Sequence, residues 1–328
     1  MTRALAAALA LALAAAARPA SGADADLAAS EISRDVENPL GREWFVKLQS
    51  NTYLLDAGDF STHRLEPTLK IQPRISVPLT GDWLLVTRPS FVAFESKPYE
   101  DAANELARAE GIGDLELPIA LAPALGPSWI AGAGPTFVLP TASNRETGQG
   151  KWQAGPAAVV GWQNEDWLFA LFAQQWWSFA GSSERSRVSH LEVQYFLTRY
   201  LDDGWSAGMS PTISVDWKAA SGQQLTFPVG LGASKVVKLS DGFSVKLSLQ
   251  LEYMPIHPDE LGREANVQVT LTPVAPQPFD RPIFGARRAP AAGALAAQAE
   301  PALAQPPAAA FTNATTSPSE TGVRIPRR

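Results

Sequence analysis

From Trp44 onward, apolar and polar residues alternate along the chain with a period of two. Leu65, Leu69, Ile71, Ile75, Val77 and Leu79 share one face with Pro67 and Pro73, while Glu66, Thr68, Lys70, Gln72, Arg74 and Ser76 share the other. Phe243, Val245, Leu247, Leu249, Leu251 and Tyr253 alternate in the same way with Ser244, Lys246, Ser248, Gln250 and Glu252. Residues 205–217 set Ala207, Met209, Pro211, Ile213 and Val215 against Ser206, Gly208, Ser210, Thr212, Ser214 and Asp216. A period of two is a strand between two different environments. The pattern predicts strands at 44–56, 64–79, 83–95, 113–124, 129–140, 152–163, 167–178, 188–200, 205–217, 224–239, 243–255 and 265–275. Many exceed the five or six residues of a soluble strand and match the roughly 9–11 that a tilted strand needs to cross a bilayer.

The connections between these strands alternate in length. Short ones fall at 80–82, 125–128, 164–166, 202–204 and 240–242; long ones fall at 57–63, 96–112, 141–151, 181–187, 218–223 and 256–264. Tight turns on one side and longer loops on the other are the pattern of a barrel in the outer membrane, with both chain ends on the periplasmic side. The expected fold is therefore all-β: a transmembrane, antiparallel, up-and-down β-barrel of about twelve strands, closing between strands 44–56 and 265–275.

Aromatic residues supply a second register. Trp44, Trp83, Trp129, Trp167, Trp205 and Phe243 each open an alternate strand, and the last five follow the short turns. All six are expected at one membrane depth, where an indole ring meets the edge of the hydrocarbon and its N–H meets water. Tyr53, Trp152, Trp177, Trp217 and Tyr253 lie near the long-loop ends and form a candidate second girdle.

Composition fits this picture. Charged residues make up 18% of the chain, against about 25% in a typical soluble domain, and the mean hydropathy of −0.07 is far from that of a helical membrane protein. The net charge of −6 gives no basic surface for nucleic acid. With no cysteine, disulfides, thiolate metal sites and cysteine nucleophiles are excluded.

The ends read differently from the middle. Arg3, the Ala/Leu run at 4–17 and small residues at Ser21 and Ala23 resemble a secretory signal peptide over 1–23, cut between Ala23 and Asp24. Residues 24–43 are polar and are expected to be a periplasmic lead-in outside the barrel. Residues 276–328 are rich in Pro and Ala with few large apolar side chains. That composition cannot offset its ordering entropy and predicts a disordered tail, dispensable for the barrel.

Three segments carry a family resemblance: GIGDLELPIALAP (111–123), AGAGPTFVLPTASNRETGQGKWQAGPAAVVGW (131–162) and QQWWSFAG (174–181). They resemble a family of bacterial outer-membrane barrels labelled as transporters, as proteins of a meta-pathway of phenol degradation or, misleadingly, as neuromedin U. The G-P-T-x-x-x-P-T stretch at 134–141 and the G-K-W-Q-x-G-P stretch at 150–156 are the most specific parts. The resemblance implies an outer-membrane barrel loosely linked to uptake of small organic, often aromatic, compounds. It implies no catalytic residues. The chain departs from barrels that finish on a terminal aromatic, because a Pro/Ala tail follows its last strand and ends at Arg328.

The chemistry expected of the chain lies on the inner face of the barrel. The register set by the aromatics turns Glu66, Lys70, Arg74, Arg88, Glu116, Glu192, Gln194, Lys246, Gln250 and Glu252 into the lumen, together with Phe172, Trp176 and Phe196. Arg74, Arg88 and Lys246 are mid-strand, where a lipid-facing cation costs roughly 2–4 kcal/mol, so each is expected to pair with an inward acid. A barrel of intermediate size is expected to hold a narrow polar pore, partly closed by a loop or by the N-terminal segment. Of the three histidines, His63 and His257 fall in long loops, and His190 shares a face with Glu192 and Gln194. Ser189 points away from His190, as neighbours in a strand do, so the two cannot form a catalytic dyad. Asp216, Asp259, Glu260 and His257 are candidates for the external rim. No cofactor and no metal-ligand spacing is indicated.

The sequence thus points to a non-enzymatic channel or transporter for a small solute. Its expected partners are outer-membrane lipid and the barrel-assembly machinery. A lipid- or peptide-hydrolysing barrel and an adhesive barrel, the latter using 96–112 as its binding loop, are the alternatives.

Overall fold

Strands of this length and pattern satisfy their backbone groups in a membrane only by closing on themselves, and the chain does so. The computed structural model describes residues 23–56, 64–103, 105–126, 128–240, 243–275, 277–279 and 281–284. Residues 1–22 of the proposed signal peptide, His63 and most of the tail lie outside the described residues, while the proposed cut between Ala23 and Asp24 falls at the start of the first helix.

The order is one helix, α1 (Ala23–Glu37), then β1 (Trp44–Leu55), β2 (Arg64–Pro78), β3 (Trp83–Thr87), β4 (Ser90–Glu100), β5 (Leu106–Gly111), β6 (Leu115–Pro123), β7 (Trp129–Leu139), β8 (Lys151–Gln163) and β9 (Trp167–Gly181). β10 (Ser189–Tyr200), β11 (Trp205–Met209), β12 (Thr212–Asp216), β13 (Leu225–Ser240), β14 (Phe243–Ile256) and β15 (Arg263–Ala275) complete it. All pairings are antiparallel, and β1 bonds both β2 and β15, which closes the cylinder. The closing register runs from Trp44 opposite Ala275 to Leu54 opposite Ala265.

Three of the crossings are each split in two. β3 and β4 meet at Arg88–Pro89, β5 and β6 at 112–114, and β11 and β12 at Ser210–Pro211. Joining each pair gives a twelve-stranded barrel. Prolines at two of the breaks lack the N–H that a ladder needs.

The alternation appears directly in burial. Along β9, Leu168, Ala170 and Phe172 are buried while Trp167, Phe169 and Leu171 are exposed. Leu231 on β13 and Val160 on β8 are more than half exposed. An apolar outer belt around an inner face carrying buried Arg, Lys, Gln and Thr inverts the arrangement of a soluble protein.

Three local expectations need correction. Residues 96–112 are not an open loop: β4 and β5 continue as a hairpin, pairing Glu95 with Gly111 through Glu100 with Leu106. Asp101 closes the turn by accepting the amides of Ala103 (2.8 Å) and Glu105 (3.0 Å). Arg108 fastens the hairpin by donating to the carbonyl oxygens of Ser96 (2.8 Å) and Leu65 (2.9 Å).

Second, residues 24–43 do not stay outside the barrel. Ala29, Ser33 and Val36 recur at helical spacing and form the buried face of α1, which packs on β10, β11 and β13. Pro39 ends the helix, and the side chain of Asn38 caps the turn by accepting the Leu40 amide at 2.9 Å.

Third, the start of the tail docks. Ile283 and Phe284 donate backbone N–H bonds to the carbonyl oxygens of Pro78 (2.9 Å) and Leu79 (2.7 Å). The Phe279 ring lies 5.9 Å from that of Trp44.

Candidate functional site

The lumen is divided into two levels. On the long-loop side, the strands enclose a polar cavity of about 250 Å³. Lys70, Arg88, Glu116, Glu192, Gln194 and Glu252 line it, as six of the ten lumen candidates, with His190 and Arg263. Glu66 is buried and accepts a bond from Arg263 at 2.5 Å, and the Arg263 guanidinium lies 4.0 Å from the centre of the Tyr53 ring. His190 Nε2 sits 3.3 Å from a Glu192 carboxylate oxygen, its ring beside Trp176. Glu252 accepts from Asn266 (2.8 Å) and Gln250 (2.5 Å). Phe172, Trp176 and Phe196 are buried on the same inner face, with Trp176 donating to the Thr136 hydroxyl at 3.1 Å.

On the short-turn side, the lumen holds the chain's own N-terminal segment. Arg74 is fully buried on β2. Its Nε donates to the Glu43 carbonyl (2.9 Å), its Nη1 to the carbonyls of Asp35 and Asn38 (2.8 Å each), and its Nη2 to the Asp35 carboxylate. Asp35 also accepts the amides of Arg42 (2.7 Å) and Glu43 (2.9 Å). Lys246 on β14 is ion-paired to Glu37, and Lys47, Ser206 and Gln250 line a small pocket of about 60 Å³ around them. Gln163 ties the segment to the far wall, donating to the Arg34 carbonyl (2.9 Å) and accepting from Asn38 (2.9 Å). Leu40 sits in the largest buried apolar cluster, with Val86, Ala120, Val159 and Phe172.

Arg74 and Lys246 therefore have carboxylate partners, but these come from the N-terminal segment and not from inward acids of the barrel wall. Arg88 has no ion pair among the described residues; its guanidinium stands 5.7 Å from the centre of the Phe172 ring. The alternation on the wall identifies inward cations without showing that a helix supplies their counter-charges.

The two acids beside this contact are shifted in opposite senses. Burial works against the charged form of Glu37. The ammonium of Lys246, its hydrogen bond, Lys47 and the Ser206 hydroxyl outweigh it and hold the carboxyl below its ordinary range. Burial and then the neighbouring Asp35 charge raise Glu43, with Arg74 opposing.

On the outer surface, Trp83, Trp129, Trp167, Trp205 and Phe243 are exposed at the short-turn end, and Trp152, Trp177, Trp217 and Tyr253 at the long-loop end. Two aromatics depart from the expected girdles. Trp44 is half-buried, with its Nε1 donating to the Ser76 carbonyl at 2.8 Å. Tyr53 is buried and lines the cavity. It is an odd number of residues from Trp44, and period two places such residues on opposite faces.

The residues not singled out from sequence are Asp35, Glu37 and Leu40 on the segment, and Lys47 and Arg263 on the wall; Tyr53 was singled out, but for the girdle and not for the lumen. For Lys47 the signal was present, since alternation puts it on the inner face with Phe45 and Gln49.

No family model and no curated protein matches the chain. Among solved structures, an outer membrane channel from Pseudomonas putida F1 is similar over 71% of this chain and 94% of that one, with a TM-score of 0.54 and 17% identity. The NanC porin is similar over 70% of this chain and 98% of its own, with a TM-score of 0.43 and 9% identity. The likeness to the Pseudomonas channel is one of fold, and that fold is an outer-membrane β-barrel.

Proposed function

We propose that this chain is an outer-membrane channel for small organic solutes, held closed on its periplasmic side by its own N-terminal segment. The observation that carries the reading is the pairing of a polar cavity in the upper lumen with a helix ion-paired into the lower lumen. A solute entering from the long-loop side reaches Lys70, Arg88, Glu116 and Glu192, and passes further only when residues 35–43 leave Arg74 and Lys246. The outward aromatics hold the barrel at the two lipid interfaces, and membrane insertion engages the barrel-assembly machinery. The cavity-lining residues are the proposed solute contacts.

Planar-bilayer recording of the refolded full-length protein tests this. The expected result is a small, flickering conductance that rises to a larger steady level in an Asp35→Asn/Glu37→Gln double variant. Absence of current from both proteins, each shown to be folded, sinks the reading.

A further inference from the structure

Beneath the polar cavity, the inner wall carries four cations: Lys47, Arg74, Arg88 and Lys246. Strand register puts Lys47 and Lys246 at one level and Arg88 two residues from it, opposite Arg74. Lys246 faces Thr272 across β14 and β15. Thr272 lies level with Lys47, because Phe45 faces Val274 and Leu48 faces Leu271. Lys47 faces Gln72, whose side chain donates to Ser90, two residues beyond Arg88. The acids closest to this band are Asp35, Glu37 and Glu43, all on the N-terminal segment.

The four cations do not play one role. The Arg74 fork makes four bonds to Asp35, Asn38 and Glu43 and serves as an anchor. Lys246 is matched by a single carboxylate, that of Glu37. Lys47 and Arg88 have no ion pair among the described residues. Arg88 also stands at a boundary, lining both the polar cavity and an apolar recess formed by Val86, Ala120, Val159 and Phe172. Leu40 fills that recess and leaves only about 10 Å³ free. Glu37 and Leu40, three positions apart on one segment, thus set a carboxylate on a lysine and an aliphatic side chain in an apolar slot.

Withdrawing the segment would leave Lys47, Arg88 and Lys246 together in a partly desolvated lumen with no facing acid, which is costly until an anion enters. A neutral solute would fill the recess without meeting that demand. We infer that the solute taken by this channel is a small organic anion, a carboxylate on a compact apolar body, and that Glu37 and Leu40 occupy its site while the channel is closed. The inference rests on the channel reading and adds to it the chemical class of the solute.

The test is a bi-ionic recording on the full-length protein and on Asp35→Asn/Glu37→Gln, with KCl on one side and potassium benzoate on the other. Titration of the detergent-solubilised proteins with benzoate and with benzamide accompanies it. The expected outcome is a current carried mainly by anions, more so in the double variant, with benzoate permeating and binding and benzamide doing neither. Arg88→Gln should weaken benzoate binding about tenfold, the scale of one lost charge-assisted hydrogen bond, and Arg88→Lys should recover part of it. Lys47→Gln gives the same reading should Arg88→Gln not fold. A conducting pore that prefers potassium, or that binds benzamide as well as benzoate, overturns the inference and leaves the channel standing. No current from any folded form overturns both.

Discussion

The guanidinium of Arg74, on the inner face of the barrel, is bound to the carboxylate of Asp35, which lies outside the sheet on the N-terminal segment. The same guanidinium donates to three backbone carbonyls of residues 35–43. One wall residue therefore fixes the fold of the segment as well as its place.

Arg74→Gln should release the segment and leave the barrel closed. Removing one partner of a buried pair costs about 3–5 kcal/mol, and Asp35 would be left with fewer donors. The expected result is faster protease cleavage within residues 24–43 of the folded protein, with unchanged β-sheet circular dichroism. Arg74→Lys should not rescue it, because an ammonium cannot reproduce the planar fork that reaches several acceptors at once.

Docking of the segment should depend on pH through Glu37. Its folded value lies below the ordinary 4.5, so its contribution is complete above that value and is lost as pH falls through the lowered one. Conductance of the full-length protein should rise on acidification below about pH 4.5. In Glu37→Gln it should already be raised at pH 7 and flatter with pH. A conductance in the parent protein that falls on acidification would show that some other group controls closure.

The two faces of a strand should tolerate charge differently. Leu231 on β13 points outward and is 72% exposed. Leu231→Arg should cost roughly 2–4 kcal/mol, the price of a cation at mid-depth in lipid, measured as a shift in reversible unfolding in lipid vesicles. Thr272→Lys, on the inner face, should cost less in vesicles but oppose the charges of Lys47 and Lys246.

The start of the tail should matter more than its composition suggests. A chain ending at Ala275 loses the bonds to Pro78 and Leu79 and the contact of Phe279 with Trp44. It is expected to unfold at lower denaturant than a chain ending at Phe284, which should match the full-length protein. Equal midpoints for the two truncations would show that residues 277–284 contribute nothing to the barrel.

The barrel was legible in the sequence because its constraints are local. Alternation sets the faces, turn lengths set the two sides, and Trp83, Trp129, Trp167 and Trp205 mark a common depth. The closure of the lumen was not, because its contacts carry no local signature. Asp35 meets Arg74 across 39 residues and Glu37 meets Lys246 across 209. On their own, those acids are indistinguishable from the polar residues of any linker. The hairpin at 96–112 looks like a loop in the sequence because Pro98 and a run of charges obscure an alternation that β4 carries past the barrel rim. The distance of Tyr53 along the chain suits a girdle, but its odd spacing from Trp44 turns it inward.

The break at Ser210–Pro211 constrains how the lumen can change over generations. Pro211 interrupts the ladder, and two inward amides bridge the gap: Gln250 accepts the Ser210 N–H at 2.9 Å, and Gln194 donates to the Ser210 carbonyl at 3.0 Å. Both amides are therefore committed to mending the wall. Selection for a new cargo can reshape Lys70, Glu116 or Glu192 one at a time, but Gln194, Gln250 and Pro211 have to be inherited or replaced as a set.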